Sequence, residues 1–155
     1  MGLKIAIVGS GPAGCMLARL ILNNDDHGTT VPLFESEHSI NFRSQGGTLD
    51  LHEKTGQAAL KQAGLFDEFL KHARYDGEAM KIADKNLLCY ITQNGSKKGS
   101  KTSTGRPEID RPLLRQLLFE SLPKGTVHWS KKLRQIDEHH VLHFADGTKA
   151  QGFDL

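Results

Sequence analysis

Cysteine is nearly absent from this chain of 155 residues, which carries only Cys15 and Cys89. Two such distant cysteines make no disulfide framework and no zinc spacing, so a reducing compartment, the cytoplasm, is the expected home. Long apolar runs are missing too. No stretch approaches the roughly twenty apolar residues of a membrane span. The N-terminal run Met1-Gly2-Leu3-Lys4-Ile5-Ala6-Ile7-Val8 is short and leads straight into glycine, so it reads as a strand and not as a secretory signal. Charge of one sign is also lacking: 20 Lys and Arg face 18 Asp and Glu, a net of +2. That balance gives no footprint for nucleic acid. What remains is 37% hydrophobic and 25% charged, the composition of a folded globular domain, and the length fits one domain over 1–155.

The first forty residues are the most informative. Leu3 to Val8 is an apolar, β-branched run and predicts a buried strand. Pro12 to Asn23 has helical spacing, with Pro in the first turn where a missing N–H is harmless. Val31 to Phe34 predicts a second strand ending on Glu35. This β-α-β order predicts a parallel, right-handed crossover.

Between the first strand and the helix lies Gly9-Ser10-Gly11-Pro12-Ala13-Gly14. Gly9 permits the turn out of the strand. Gly11 lacks a Cβ, so a pyrophosphate can approach the backbone beside Pro12 and Ala13. Gly14 lets the helix pack near the strand. The phosphates then face the helix N-terminus, whose unpaired N–H groups and dipole favour an anion by about 0.3–1 kcal/mol. Ala18, one turn further on, is small enough for close helix–sheet packing. Glu35 follows about twenty residues later, where a carboxylate accepts from ribose hydroxyls and disfavours a 2′-phosphate. No Gly-Lys-Ser/Thr follows the loop, which excludes a P-loop. The glycine motif alone does not choose between FAD and NAD.

Further along, Glu53 to Ala63 and Phe66 to Ala73 predict helices, with Gly64 as a terminator. Met80 to Ala83 and Leu88 to Thr92 predict strands around an Asp84-Lys85-Asn86 turn. Asn94 to Gly105 has loop composition. Pro112 to Leu122 predicts a helix buried through Leu114, Leu117, Leu118 and Leu122. Val127 to Trp129, Leu133 to Asp137 and Val141 to Phe144 predict strands, Asp146-Gly147 a hairpin turn, and Phe153 to Leu155 the start of another strand. His139, His140 and His143 alternate along a strand and are not expected to hold a metal. No residue stands out as a nucleophile or general base. Cys15, in the first helix, reads as a small buried residue.

The segments Gly46-Gly47-Thr48-Leu49-Asp50-Leu51-His52 and Pro107-Glu108-Ile109-Asp110-Arg111-Pro112-Leu113-Leu114-Arg115 carry a family resemblance. With the glycine loop, they resemble FAD-dependent monooxygenases of the para-hydroxybenzoate hydroxylase type, especially the flavin-dependent tetracycline monooxygenases, over essentially the whole chain. The resemblance implies an α/β fold: a Rossmann-like FAD-binding domain with a βαβ start of the glutathione-reductase type and added strands, incomplete at its C-terminal side. It implies that Glu35 holds the adenosine ribose and that Asp50 and Arg111 contact FAD. Arg115, at i+4 from Arg111, is a further candidate on the same helix face. Arg43 matches a position used for the nicotinamide substrate. Ser36 departs from the arginine that relatives often place beside the acid. Plainer alternatives stand beside these roles: Arg111 and Arg115 as a solvated helix face, Asp50 as a turn former in a polar loop, and Arg43 as a surface charge.

The activity implied is hydroxylation of an aromatic or polycyclic substrate, with NADPH or NADH reducing the flavin and O2 supplying the oxygen. Such enzymes are longer than this chain, so the expectation is an N-terminal portion that is catalytically incomplete. Two alternatives are a split FAD-binding subunit completed by a C-terminal partner, and an NAD-binding Rossmann protein.

Overall fold

The computed structural model describes residues 2–25, 27–42, 46–75, 80–93 and 105–155. These fall into two compact units. One comprises Met1–Gln45 with Leu114–Leu155, and the other is Gly46–Leu113.

The first unit is built on a parallel sheet. Strand β1 (Ile7–Val8) runs into helix α1 (Pro12–Asn23), and the chain returns through strand β2 (Leu33–Phe34). β1 and β2 pair in parallel, with Ile7 opposite Leu33 and Val8 opposite Phe34. The helix begins and ends where the sequence predicts. Gly11 is its N-cap, Pro12 supplies a fixed φ at the first position, and Asn24 closes the last turn through a bond to the Ile21 carbonyl. Cys15 and Ala18 form the buried stripe, both without exposed surface. The strands are shorter than their apolar runs, although Lys4 still bridges Thr30 beyond them.

A later segment of the chain completes this sheet. Helix α4 (Arg111–Glu120) buries Leu114, Leu117 and Leu118, and strand β7 (Val127–His128) then pairs in parallel with β2. An antiparallel meander follows, with β8 (Leu133–Ile136), β9 (Leu142–Phe144) and β10 (Lys149–Ala150). Phe34, Leu142 and Phe144 form a buried cluster, joined by Ala6, Leu133, Ala150 and Phe153. The Phe34 and Phe144 rings lie 4.9 Å apart. The last residues run beside β1, where the Asp154 N–H donates to the Lys4 carbonyl and the Ala6 N–H to the Leu155 carbonyl, both at 2.8 Å. That pairing matches the expected strand in character, but it is too short to form a regular ladder.

The second unit holds β3 (Thr48–Asp50), helices α2 (Ala58–Gln62) and α3 (Phe66–His72), the hairpin β4 (Met80–Ala83) and β5 (Cys89–Gln93), and β6 (Glu108–Asp110). β3 and β6 pair antiparallel, so the polar loop expected around residue 50 is a strand instead. Its partner lies some sixty residues away, which a local reading does not see. The predicted helix from Glu53 opens with a π-turn over Glu53–Gln57 before α2 begins. Gln57 accounts for that irregular turn. Its amide donates to the Leu51 and Gly105 carbonyls, both at 2.6 Å, so the segment is fixed by bonds outside its own ladder. Gly64, at φ +71°, ends α2. Residues 94–104, where a loop was expected, lie outside the described residues.

Candidate functional site

The glycine loop leaves β1 at Val8. Gly9 has φ +98°, and its N–H donates to the Phe34 carbonyl at 2.9 Å, which locks the turn to β2. Gly11 and Gly14 then differ sharply in their surroundings. A Cβ on Gly14 would stand 2.1 Å from the Gly9 carbonyl oxygen, so helix and strand meet there backbone to backbone. A Cβ on Gly11 would meet nothing within 4 Å. The N-terminus of α1 has no side-chain cap and no acidic residue in its first turn. An open, uncapped, positive helix end beside a glycine without neighbours is a cradle shaped for an anionic group.

Glu35 lies at the end of β2, 7% exposed. One carboxylate oxygen accepts from the Ser10 N–H at 2.8 Å and the Ser10 hydroxyl at 2.9 Å. The other accepts from the Ser36 hydroxyl at 2.9 Å and the Glu37 N–H at 3.0 Å. Burial pushes its pKa up, but the Glu37 and Ser10 N–H groups and the two serine hydroxyls outweigh it and hold it at about 2. The residue is therefore a fixed anion. Its four acceptor sites are all engaged, and two of the donors are hydroxyls, which can rotate away for an incoming donor. Ser36, the departure from the family's arginine, binds the acid itself.

Arg115 overturns the solvated-face alternative. It is 3% exposed, because its position on α4 places it among the buried leucines. Its Nη1 donates to Glu37 at 2.7 Å, its Nε to the Ser10 carbonyl at 3.2 Å and its Nη2 to the Ser10 hydroxyl at 3.4 Å. Nη2 also lies 3.7 Å from the Glu35 carboxylate. Gly9, Gly11, Gly14, Glu35 and Arg115 thus come together in one unit, with Pro12 and Ala13 opening its helix. Ser10 and Glu37 join them unforeseen. The only hints in sequence are a hydroxyl between the first two glycines and a second acid two residues after Glu35.

Asp50 and Arg111 belong to the second unit. Asp50 is exposed on β3, directly opposite Glu108, so it is a strand residue and not a turn former. Arg111 is exposed at the start of α4, and its N–H donates to the Gly47 carbonyl at 3.1 Å. The two sit at opposite ends of the β3–β6 ladder. Arg74 braces that ladder through a bidentate pair to Asp110 at 2.8 and 3.0 Å. Arg43 lies outside the described residues.

His143 pairs with Asp137 at 2.7 Å, and this bond, with the Val141 and His139 N–H groups, holds Asp137 at about 2. Among the described residues no cluster of three or more His, Cys, Asp or Glu could hold a metal, and no helix is long and apolar enough to cross a membrane.

Comparison with known proteins finds relatives by sequence and neighbours by fold. The chain is 34% identical to the monooxygenase penA of Penicillium thymicola, over 96% of this chain and 32% of that protein. It is 36% identical to the monooxygenase asqM of Emericella nidulans, over 86% of this chain and 29% of that protein. The fold matches 2-methyl-3-hydroxypyridine-5-carboxylic acid oxygenase at a TM-score of 0.73 and 16% identity, covering 97% of this chain and 37% of that one. It also matches a FAD-containing monooxygenase from Photorhabdus luminescens (TM-score 0.70, 20% identity, 96% and 37% coverage). A third match is tetracycline destructase Tet(51) (TM-score 0.64, 17% identity, 97% and 36% coverage). No protein-family model matches the chain. The relatives by sequence are thus monooxygenases, and the neighbours by fold include a FAD-containing monooxygenase, in line with the class resembled in the sequence. The chain spans about a third of the length of the curated relatives it matches.

Proposed function

We propose that this chain binds FAD, with the loop Gly9–Gly14 receiving the pyrophosphate and Glu35 the adenosine ribose, as the nucleotide-binding portion of a flavin-dependent monooxygenase. The carrying observation is the Gly11 cradle at the uncapped start of α1, set beside a carboxylate held ionised at the end of β2. When bound, the flavin supplies the electron transfer and oxygen chemistry. The chain's own residues bind and orient the nucleotide. Gly11 and the helix end accept the phosphates, and the Ser10 and Ser36 hydroxyls give way at Glu35 to ribose hydroxyls. Asp50 and Arg111 are assigned to further contacts with FAD, Arg43 to the nicotinamide. The substrate is a small organic molecule, hydroxylated with O2 and reducing equivalents from NADH or NADPH in the cytoplasm.

A second reading makes this chain a split subunit that needs a complementing polypeptide. It is favoured by an apolar groove of about 340 Å³ along β1, lined by Val8, Ile136, Leu142, Phe153 and Leu155. Titration of the purified chain with FAD, followed by flavin fluorescence and gel filtration, tests the first reading. Co-elution of flavin, lost in Gly11→Leu and Glu35→Ala, supports it. A folded chain that binds NADH tightly and ignores FAD refutes it.

A further inference from the structure

Ser10 sits between the first two glycines of the loop and is 1% exposed. Each of its polar atoms is engaged. Its N–H and hydroxyl donate to one oxygen of Glu35 at 2.8 and 2.9 Å. Its carbonyl accepts from the Arg115 Nε at 3.2 Å and from the Cys15 thiol at 3.3 Å, and its hydroxyl oxygen accepts from the Arg115 Nη2 at 3.4 Å. A trans peptide points its C=O and its N–H in opposite directions, and no peptide among the described residues is cis. With the Ser10 carbonyl turned onto the guanidinium, the Gly11 N–H faces away from it. That N–H has no hydrogen-bond partner among the described residues, and the space beside Gly11 is open. Arg115 is itself only 3% exposed, so it has almost no surface to offer a ligand. It acts on a bound nucleotide through the loop.

We propose that Arg115 is the positioning residue of the glycine loop: by holding the Ser10 carbonyl it fixes the Ser10–Gly11 peptide so that the Gly11 N–H is presented to the pyrophosphate as a donor. This rests on the dinucleotide reading above and goes further in naming what shapes the loop. The guanidinium comes from α4, in the same compact unit as the loop but 105 residues along the chain. A second tie runs the opposite way. Arg19 on α1 donates to the Ser121 carbonyl, just past the end of α4, at 2.9 Å. The loop therefore takes its binding shape only when the second half of α4 is seated. A nucleotide on the loop stabilises that seat in return, because coupling between two equilibria is reciprocal.

The test is isothermal titration of the full chain with ADP and with adenosine, which shares the base and ribose but lacks phosphate. Arg115→Lys keeps a positive charge for Glu37 but not the planar fork that also reaches Ser10. It should lower the affinity for ADP by about tenfold or more, the loss expected for one hydrogen bond to a charged group, and leave that for adenosine nearly unchanged. Hydrogen exchange on wild type gives a second readout that needs no variant. ADP should slow the amides of Leu118 to Leu122 by about fivefold or more beyond those of Leu142 to Phe144, a strand of the same unit outside these contacts. A folded Arg115→Lys that loses both ligands equally, or neither, overturns the inference and leaves the dinucleotide site standing. If that variant does not fold, equal slowing of the two segments in wild type overturns it in the same way. Failure of wild type to bind ADP at all overturns both readings.

Discussion

Replacing Gly14 and Gly11 in turn by alanine separates the two jobs of the glycine loop. A methyl group at Gly14 would sit 2.1 Å from the Gly9 carbonyl oxygen, while ordinary contact begins at 3.4 Å. α1 and β1 must therefore part by about 1.3 Å along their tightest approach, and the atom to be moved is backbone, which cannot swing aside. Overpacking of this kind costs about 1–3 kcal/mol, toward the upper end where no side chain can yield. At about 2–4 °C per kcal/mol for a chain of this size, Gly14→Ala should lower the melting temperature by about 6–12 °C. Gly11 has φ −70° and ψ 176°, which alanine adopts freely, and open space where a Cβ would go. The gain from a stiffer unfolded chain and the loss of a favoured N-cap residue are each within about 1 kcal/mol and oppose one another. Gly11→Ala should therefore melt like wild type, yet bind FAD or ADP at least about tenfold more weakly, because its methyl group fills the phosphate approach. Thermal melts by circular dichroism, paired with ligand titration, read both effects. Equal destabilisation by the two variants, or full affinity in Gly11→Ala, would refute the assignment.

Two further outcomes follow from the buried groups. Glu35 has its pKa depressed from 4.5 to about 2, so its stabilising contribution is complete above about pH 4.5 and is lost as pH falls toward 2. The full shift corresponds to about 3 kcal/mol, reduced by solvent screening at the loop's open face to about 1–2 kcal/mol. Glu35→Gln should be less stable than wild type by that amount at pH 7 in urea unfolding, with the gap narrowing below about pH 4.5 and closing only near pH 2. A gap independent of pH contradicts the hydrogen-bond account. Burial pushes the Cys15 thiol up to about 11, and its side chain has no exposed surface, whereas Cys89 is exposed. A thiol reagent at neutral pH should therefore count one fast cysteine in the native protein and two after denaturation. Two fast thiols in the native state would mean that α1 does not pack as described.

The sequence was most legible where structure is local. Pro12 to Asn23 could be bounded to the residue, because the N-cap glycine, the proline and the apolar stripe are all neighbours in the chain. β3 and β6 escaped notice for the opposite reason. Each has three residues with a single apolar side chain, Leu49 or Ile109, so there is no period to read, and each is a strand only because the other lies beside it. The solvated-face alternative for Arg115 stood open because its spacing from Arg111 was the visible fact. The partners that bury it, Glu37 and Ser10, are 78 and 105 residues away. Glu35 was placed correctly at the strand end, but the serine hydroxyls on either side that saturate it carry no pattern a spacing rule detects.

The interrupted order of the first unit bears on how the chain emerges during synthesis. The glycine loop, α1 and Glu35 leave the ribosome early, yet β7 and Arg115 follow only after roughly 70 intervening residues, a separation that adds loop-closure entropy and slows folding. Until then Arg115 is not beside Glu35 and Glu37, and β2 has one neighbour instead of two. The nascent chain should accordingly gain affinity for nucleotide late and abruptly, when the second half of α4 docks, and not gradually as the β-α-β motif is completed.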